Sequence, residues 1–103
     1  MCWLRACRAD EVKVGSITRQ RLNGAPVALT RLPDDSVVAF EPRCPHAGGP
    51  LALGTLRSNQ VVCPWHFFRF DLTTGEAAGT DKSIMRMKTF SVNVENGDIF
   101  VEA

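Results

Sequence analysis

Two short pairs of metal-binding side chains constrain this chain more than any other feature of its sequence. Cys44 and His46 form the first pair, Cys63 and His66 form the second, and sixteen residues separate His46 from Cys63. The chain contains only two histidines, and both belong to this pattern. The four residues are therefore predicted to act together at one metal centre.

The donor set is compatible with two kinds of site. Two thiolates and two imidazoles suit a tetrahedral zinc ion, or an iron–sulfur cluster in which histidines replace cysteines on one iron. A zinc finger typically pairs cysteine with cysteine and histidine with histidine, whereas each short pair here mixes the two. This order favours two similar loops that each give one thiolate and one imidazole to a two-iron site. A zinc site stays open as the alternative.

The segment resembles the cluster-binding motif of the Rieske 2Fe–2S proteins, C-x-H followed by a spacer and C-x-x-H. Neighbouring residues that also resemble this family are Gly48, Gly49, Pro50, Leu51, Arg69, Phe70, Asp71, Thr74 and Gly75. The resemblance implies that one 2Fe–2S cluster is bound. Cys44 and Cys63 would bind its inner iron, and His46 and His66 would bind the outer, more exposed iron.

Several positions near the motif differ from the high-potential members of that family. Those members add a cysteine to each ligand loop and join the two by a disulfide, where this chain has Gly49 and Trp65. They also place serine and tyrosine hydroxyls near the cluster sulfurs, at positions that Phe68 and Phe70 occupy here. Phe67 departs from the family as well, because glycine commonly follows the second ligand histidine.

Composition limits the classes of protein and partner. The 103 residues, 45% hydrophobic and 22% charged, predict one domain of ordinary soluble composition. No apolar run approaches the ~18 residues of a membrane span, and no secretory signal is recognised at the start, so a cytoplasmic protein is expected.

The net charge of +1 argues against nucleic acid as a partner. Charge is uneven, at +4 over residues 1–31 and −3 over the remainder, which suits either a docking face for a redox partner or ordinary solvated surfaces.

Short runs of alternating polarity, separated by turn residues, predict an all-β fold. Asn23-Gly24 and Asn96-Gly97 are typical of tight hairpins, because both residue types tolerate positive φ. We expect a Rieske-like antiparallel β sandwich in a single domain, with a cluster-binding subdomain of about residues 42–83 inserted into a base formed by 1–41 and 84–103. The predicted strands are 2–7, 16–22, 27–32, 37–40, 88–95 and 99–101.

The two remaining cysteines are predicted to be inert. Cys2 and Cys7 are an odd number of residues apart, so on a strand their side chains face opposite sides. A disulfide between them, or a second metal site, is therefore not expected.

The resemblance implies a one-electron carrier similar to the ferredoxin components of bacterial aromatic-ring dioxygenase systems. Such a protein accepts electrons from a flavin reductase, passes them to a terminal oxygenase and catalyses no reaction itself. The chain has no further histidines for a 2-His-1-carboxylate iron site. A monomer without nucleic-acid or membrane partners is expected. The alternatives are a small Rieske subunit of an assimilatory nitrite reductase or other reductase complex, and a zinc-stabilised binding module without redox activity.

The missing hydroxyl donors predict a midpoint potential toward the bottom of the range of roughly −150 to +300 mV that such centres span. Fewer donors leave more electron density on the sulfurs, so the more negative reduced state is harder to reach. A redox titration followed by visible absorbance measures this potential, and a value near the top of the range would contradict the prediction.

Overall fold

Antiparallel strands make up most of the computed structural model, which describes residues 3–45, 48–65, 68–77 and 86–102. The only helical elements within these ranges are two single 3₁₀ turns, Ala9–Glu11 and Leu51–Leu53, and no helix there is long and apolar enough to cross a membrane. In chain order the strands are β1 (Trp3–Arg8), β2 (Thr18–Leu22), β3 (Ala25–Arg31), β4 (Val37–Phe40), β5 (Thr55–Arg57), β6 (Gln60–Val62), β7 (Arg69–Asp71), β8 (Thr89–Glu95) and β9 (Asp98–Glu102). The all-β prediction is confirmed.

The strands form two sheets with different positions along the chain. The larger sheet has six strands in the order β1-β9-β8-β4-β3-β2, so both ends of the chain build it. The smaller sheet has the order β5-β6-β7 and comes from the segment between β4 and β8. It falls within residues 42–83, and the bounds of that segment as an inserted subdomain stay a prediction.

Local turn chemistry fixes the register of the larger sheet. Asn23 and Gly24 adopt φ values of 52° and 81°, and this two-residue turn pairs Leu22 with Ala25. The second Asn-Gly pair joins β8 to β9 in the same way, and it pairs Glu95 with Asp98. Each of the six predicted strands lies within two residues of an observed strand at both ends.

β3 and β4 are buried on both faces, because they lie between two apolar cores. Val27 and Leu29 point to one side of β3, Ala28 points to the other, and all three are fully buried. One core, here called the base core, contains Ala6, Cys7, Val12, Leu22, Val27, Leu29, Ala39, Ile99 and Val101. The other, here called the site core, contains Ala28, Leu32, Phe40, Cys44, Leu51, Val61, Cys63, Phe70, Leu72, Ala77 and Met87. The larger sheet thus supports the smaller one directly.

Side-chain hydrogen bonds attach the segment between β1 and β2 to the end of β3. The buried Thr30 hydroxyl donates to the Ser16 carbonyl oxygen at 2.6 Å. Arg31 donates from Nε to the Val12 carbonyl oxygen at 2.8 Å and from Nη2 to that of Ala9 at 2.7 Å. These bonds satisfy backbone acceptors of a segment that pairs with β3 only through a single bridge, between Val14 and Arg31.

Two glycines with the same backbone conformation provide a test of the packing. Gly75 and Gly24 have φ values of +83° and +81°, but a Cβ on Gly75 would clash with the Met87 carbonyl oxygen, whereas one on Gly24 has no heavy atom within 4 Å. We expect G24A to lower the free energy of unfolding by about 1 kcal/mol through backbone strain alone. We expect G75A to lower it by at least about 2 kcal/mol more, because the Met87 backbone must move. Urea denaturation measures both losses, and equal losses would contradict the close contact.

Candidate metal centre

The fold brings the cysteines of the two predicted ligand pairs together. Cys44 follows β4 and Cys63 follows β6 directly, and both belong to the site core with 1% and 0% of their surface exposed. Their side chains are close enough for the Cys44 side chain to affect the pKa of Cys63. Cys7 lies in the base core, on the other side of β3 and β4. Of the three thiols in the described ranges, two therefore lie in the same buried cluster, the site core.

Backbone hydrogen bonds close a tight loop after Cys44. The Cys44 N–H donates to the Gly49 carbonyl oxygen at 2.9 Å, and the Gly48 N–H donates to that of Cys44 at 2.7 Å. Arg43 and Pro50 form an isolated antiparallel bridge just outside this loop. The loop is thus held at its base like a short hairpin.

The loop after Cys63 is closed in a similar way. The Cys63 N–H donates to the Phe68 carbonyl oxygen at 2.8 Å, and the Trp65 N–H donates to the Cys63 Sγ at 3.4 Å. Each closed loop contains one predicted histidine ligand in its sequence. His46 and His66 themselves lie outside the described residues, as do Phe67 and Cys2. The structure therefore describes the sulfur half of the predicted site.

Gly49 lies where the two loops meet. It is buried, and a Cβ built on it would lie 2.9 Å from the Cys63 Sγ and 3.1 Å from the Trp65 Cδ2. Gly49 and Trp65, at the two positions where high-potential Rieske proteins carry bridging cysteines, thus lie close together without a covalent bond. The absence of a side chain at Gly49 allows this close approach.

Burial controls the protonation of the thiols. Burial in the site core raises the pKa of Cys63, the Trp65 N–H opposes this shift, and the Cys44 side chain adds to it. Cys63 therefore holds its proton at neutral pH when no metal is bound, and a metal must displace that proton to bind the sulfur. Two buried thiols of this kind fit a metal cofactor, because a bound metal compensates the negative charge of the thiolates where water cannot.

An arginine that the sequence patterns did not single out lies beside the first loop. The exposed Arg43 side chain covers Gly48, and a Cβ on that glycine would lie 3.4 Å from Nε and 3.6 Å from Nη2. No acidic side chain pairs with Arg43 in the part of the chain that the structure describes. Its positive charge favours negative charge in the loop. The only sequence signal for it is its place directly before Cys44.

Two of the aromatic residues near the second pair serve mainly in packing. Phe70 on β7 is fully buried in the site core, and Phe68 packs against that core from its edge. Trp65, in contrast, is 49% exposed. Neither phenylalanine carries a hydroxyl that could donate to the sulfurs, as the sequence predicts.

Comparison with known proteins identifies relatives over nearly the whole chain. A family model described as the Rieske [2Fe-2S] domain matches residues 2–91. The chain is 33% identical to the ferredoxin CarAc of Metapseudomonas resinovorans over 100 residues, which cover 96% of this chain and 92% of that protein. It is 30% identical to the ferredoxin component of the naphthalene 1,2-dioxygenase/salicylate 5-hydroxylase systems of a Ralstonia species over 94 residues, which cover 91% and 88%.

A solved structure matches the fold with comparable identity. It is described as a complex of reduced oxygenase and oxidized ferredoxin in carbazole 1,9a-dioxygenase, and one of its chains superposes with a TM-score of 0.84 at 33% identity. The superposition covers 96% of this chain and 91% of that chain. The likeness therefore includes both sheets and the loops that carry the two cysteines.

The contact at Gly49 predicts that even a methyl group there disturbs the site. G49A would push the Cys63 Sγ or the Trp65 indole away, so we expect bound iron per chain to fall by about half or more. Iron and sulfide analysis of purified protein measures this, with G24A as the control for the same substitution at an open position. Full iron content and an unchanged visible spectrum in G49A would contradict the tight packing of the two loops.

Proposed function

We propose a function for this chain from one premise, that it belongs to the Rieske [2Fe-2S] family. Its cofactor is accordingly a Rieske-type 2Fe–2S cluster, and the zinc-stabilised module is set aside. The function is that of a one-electron carrier, the ferredoxin component of an aromatic-ring dioxygenase system. The observation that carries this proposal is similarity over nearly the full length to ferredoxin components at 30% identity or more.

We assign the cluster ligands to the four residues of the sequence pattern. Cys44 and Cys63 would hold the inner iron, and His46 and His66 would hold the outer one. Adjacent, buried thiols at the start of two similar closed loops support the cysteine assignments. The histidine assignments rest on the motif, since each histidine falls inside one of these loops in sequence.

When bound, the cluster accepts and releases one electron at a time. The surrounding residues position and shield it. The site core keeps water from the two cysteine sulfurs, and the Trp65 N–H donates to one of them. The exposed Arg43 adds a positive charge beside the first loop, which would partly offset the charge gained on reduction.

The partners follow from the same relationship. A flavin reductase would supply electrons, a terminal oxygenase would receive them, and this chain would catalyse no reaction by itself. A cytoplasmic monomer is the form we expect. A fixed small subunit of a nitrite reductase is less supported, because the two relatives named above, which match this chain over nearly their full length, are ferredoxins of oxygenase systems.

Matched cysteine variants test the ligand assignment and the carrier role together. We expect C44A and C63A to lose iron, sulfide and visible absorbance, because each removes a thiolate from the site. C7A removes an equally buried thiol from the base core, and it should keep the cluster. Elemental analysis and electron paramagnetic resonance of the reduced protein measure these outcomes. Retention of the cluster in C63A would refute the assignment.

Stopped-flow absorbance then measures the carrier role. The wild-type protein should be reduced by a flavin reductase and reoxidised by a terminal oxygenase, whereas C63A should transfer no electrons. The oxygenase of carbazole 1,9a-dioxygenase, which has been solved in complex with a ferredoxin, provides a defined acceptor for this assay. A loaded cluster that neither protein reduces or oxidises would count against the proposed function.

A further inference from the structure

A groove of about 440 Å³ runs between the β2–β3 hairpin and the segment next to Cys44. One wall carries Arg19, Arg21 and Pro26, and the other carries Pro42, Pro50 and Leu53. Pro50 directly follows Gly49, so the second wall is continuous with the loop that begins at Cys44. The groove therefore lies beside the candidate metal centre and is separate from its ligands.

The first wall is basic, and its charges are uncompensated. Arg19 and Arg21 are both exposed, and alternation along β2 places them on the same face. Neither forms an ion pair within the described ranges, although Arg21 Nη1 donates to the Gly24 carbonyl oxygen at 2.9 Å. Among the described residues, no acidic side chain lines the groove. Guanidinium groups in this arrangement suit carboxylates, which they bind in bidentate geometry.

The second wall is apolar, which distinguishes the groove from a simple anion site. Leu53 has 66% of its surface exposed, and two prolines lie beside it. A small anion on the arginines would leave this leucine in water. An occupant that carries both a carboxylate and an aliphatic side chain would cover both walls.

We propose that this groove docks an acidic surface loop of the terminal oxygenase, with one aliphatic side chain of that loop packed against Leu53. The proposal rests on the proposed function, because it assumes a protein that accepts the electron near the cluster. Charge complementarity supports it, since the two arginines of the first wall belong to residues 1–31, which carry a net +4, and an acidic loop would compensate them. Docking there would bring the partner alongside the Cys44 loop.

Charge-reversal pairs test this surface in electron transfer. R19E/R21E reverses the groove, and R57E/R69E makes the same change at two exposed arginines of the smaller sheet that form no ion pair within the described ranges. With carbazole dioxygenase oxygenase as acceptor, we expect R19E/R21E to slow transfer about tenfold at low salt and R57E/R69E less than about twofold. The difference should shrink at high salt. L53Q should slow transfer at any salt concentration.

Reduction of each variant by dithionite and its electron paramagnetic resonance spectrum must match the wild type, so that a slower rate reports docking. Equal rates in R19E/R21E and R57E/R69E would overturn the docking proposal and leave the proposed function intact. Loss of transfer in the wild-type protein, with its cluster loaded, would count against the proposed function instead.

Peptide binding tests the groove without any electron transfer. A blocked pentapeptide of alternating glutamate and leucine should shift the amide resonances of Arg19, Arg21 and Leu53 in ¹H–¹⁵N spectra of the oxidised protein. The amides of Arg57 and Arg69 should not move, and a peptide with lysine in place of glutamate should produce no shift. Absence of groove shifts at millimolar peptide, or equal shifts with the lysine peptide, would overturn the proposal.

Discussion

The burial of β3 and β4 on both faces is the constraint on which the rest of the structure depends. Alternate side chains of these strands enter the base core and the site core, so the two cores share one pair of strands. Cys44 and Cys63 belong to the site core rather than to exposed loops. The spacing of the two sulfurs is thus set by the packing of the whole molecule, and the ligand loops add only their closing hydrogen bonds.

This arrangement explains how the loops are held without a disulfide. A disulfide lowers the conformational entropy of the unfolded chain and holds two loops together at one point. Here Gly49 contacts both the Cys63 Sγ and the Trp65 ring, and the contact depends on the absence of a side chain at Gly49. Noncovalent packing of this kind holds the geometry only while the surrounding core is intact. The stability of the site and that of the fold are therefore closely linked.

Short-range sequence signals predict much of the fold, but they predict the metal centre less completely. Asn-Gly turns and alternating runs predict the six strands of the larger sheet, because local geometry determines their pairing. β5, β6 and β7 are three residues long, too short for a visible alternation, and their hairpin turn at Ser58 has no glycine. The motif predicts that the two cysteines meet. The contact of Gly49 with Trp65 and the place of Arg43 depend on tertiary packing that spacing does not encode.

The groove beside the metal centre is another feature that sequence patterns predict only in part. Alternation on β2 predicts that Arg19 and Arg21 share a face, but only the fold brings Leu53 opposite them. Sequence patterns thus identify the chemical groups, and the pairing of distant segments determines which of them share a surface.

The location of Cys7 has a consequence for how the cofactor is installed. Iron that enters a folded chain can take as a ligand any thiolate within reach. The sheet of β3 and β4 separates Cys7 from Cys44 and Cys63, so this third sulfur cannot compete for a partly assembled centre. The fold therefore keeps this thiol from binding an iron that Cys44 and Cys63 would otherwise hold.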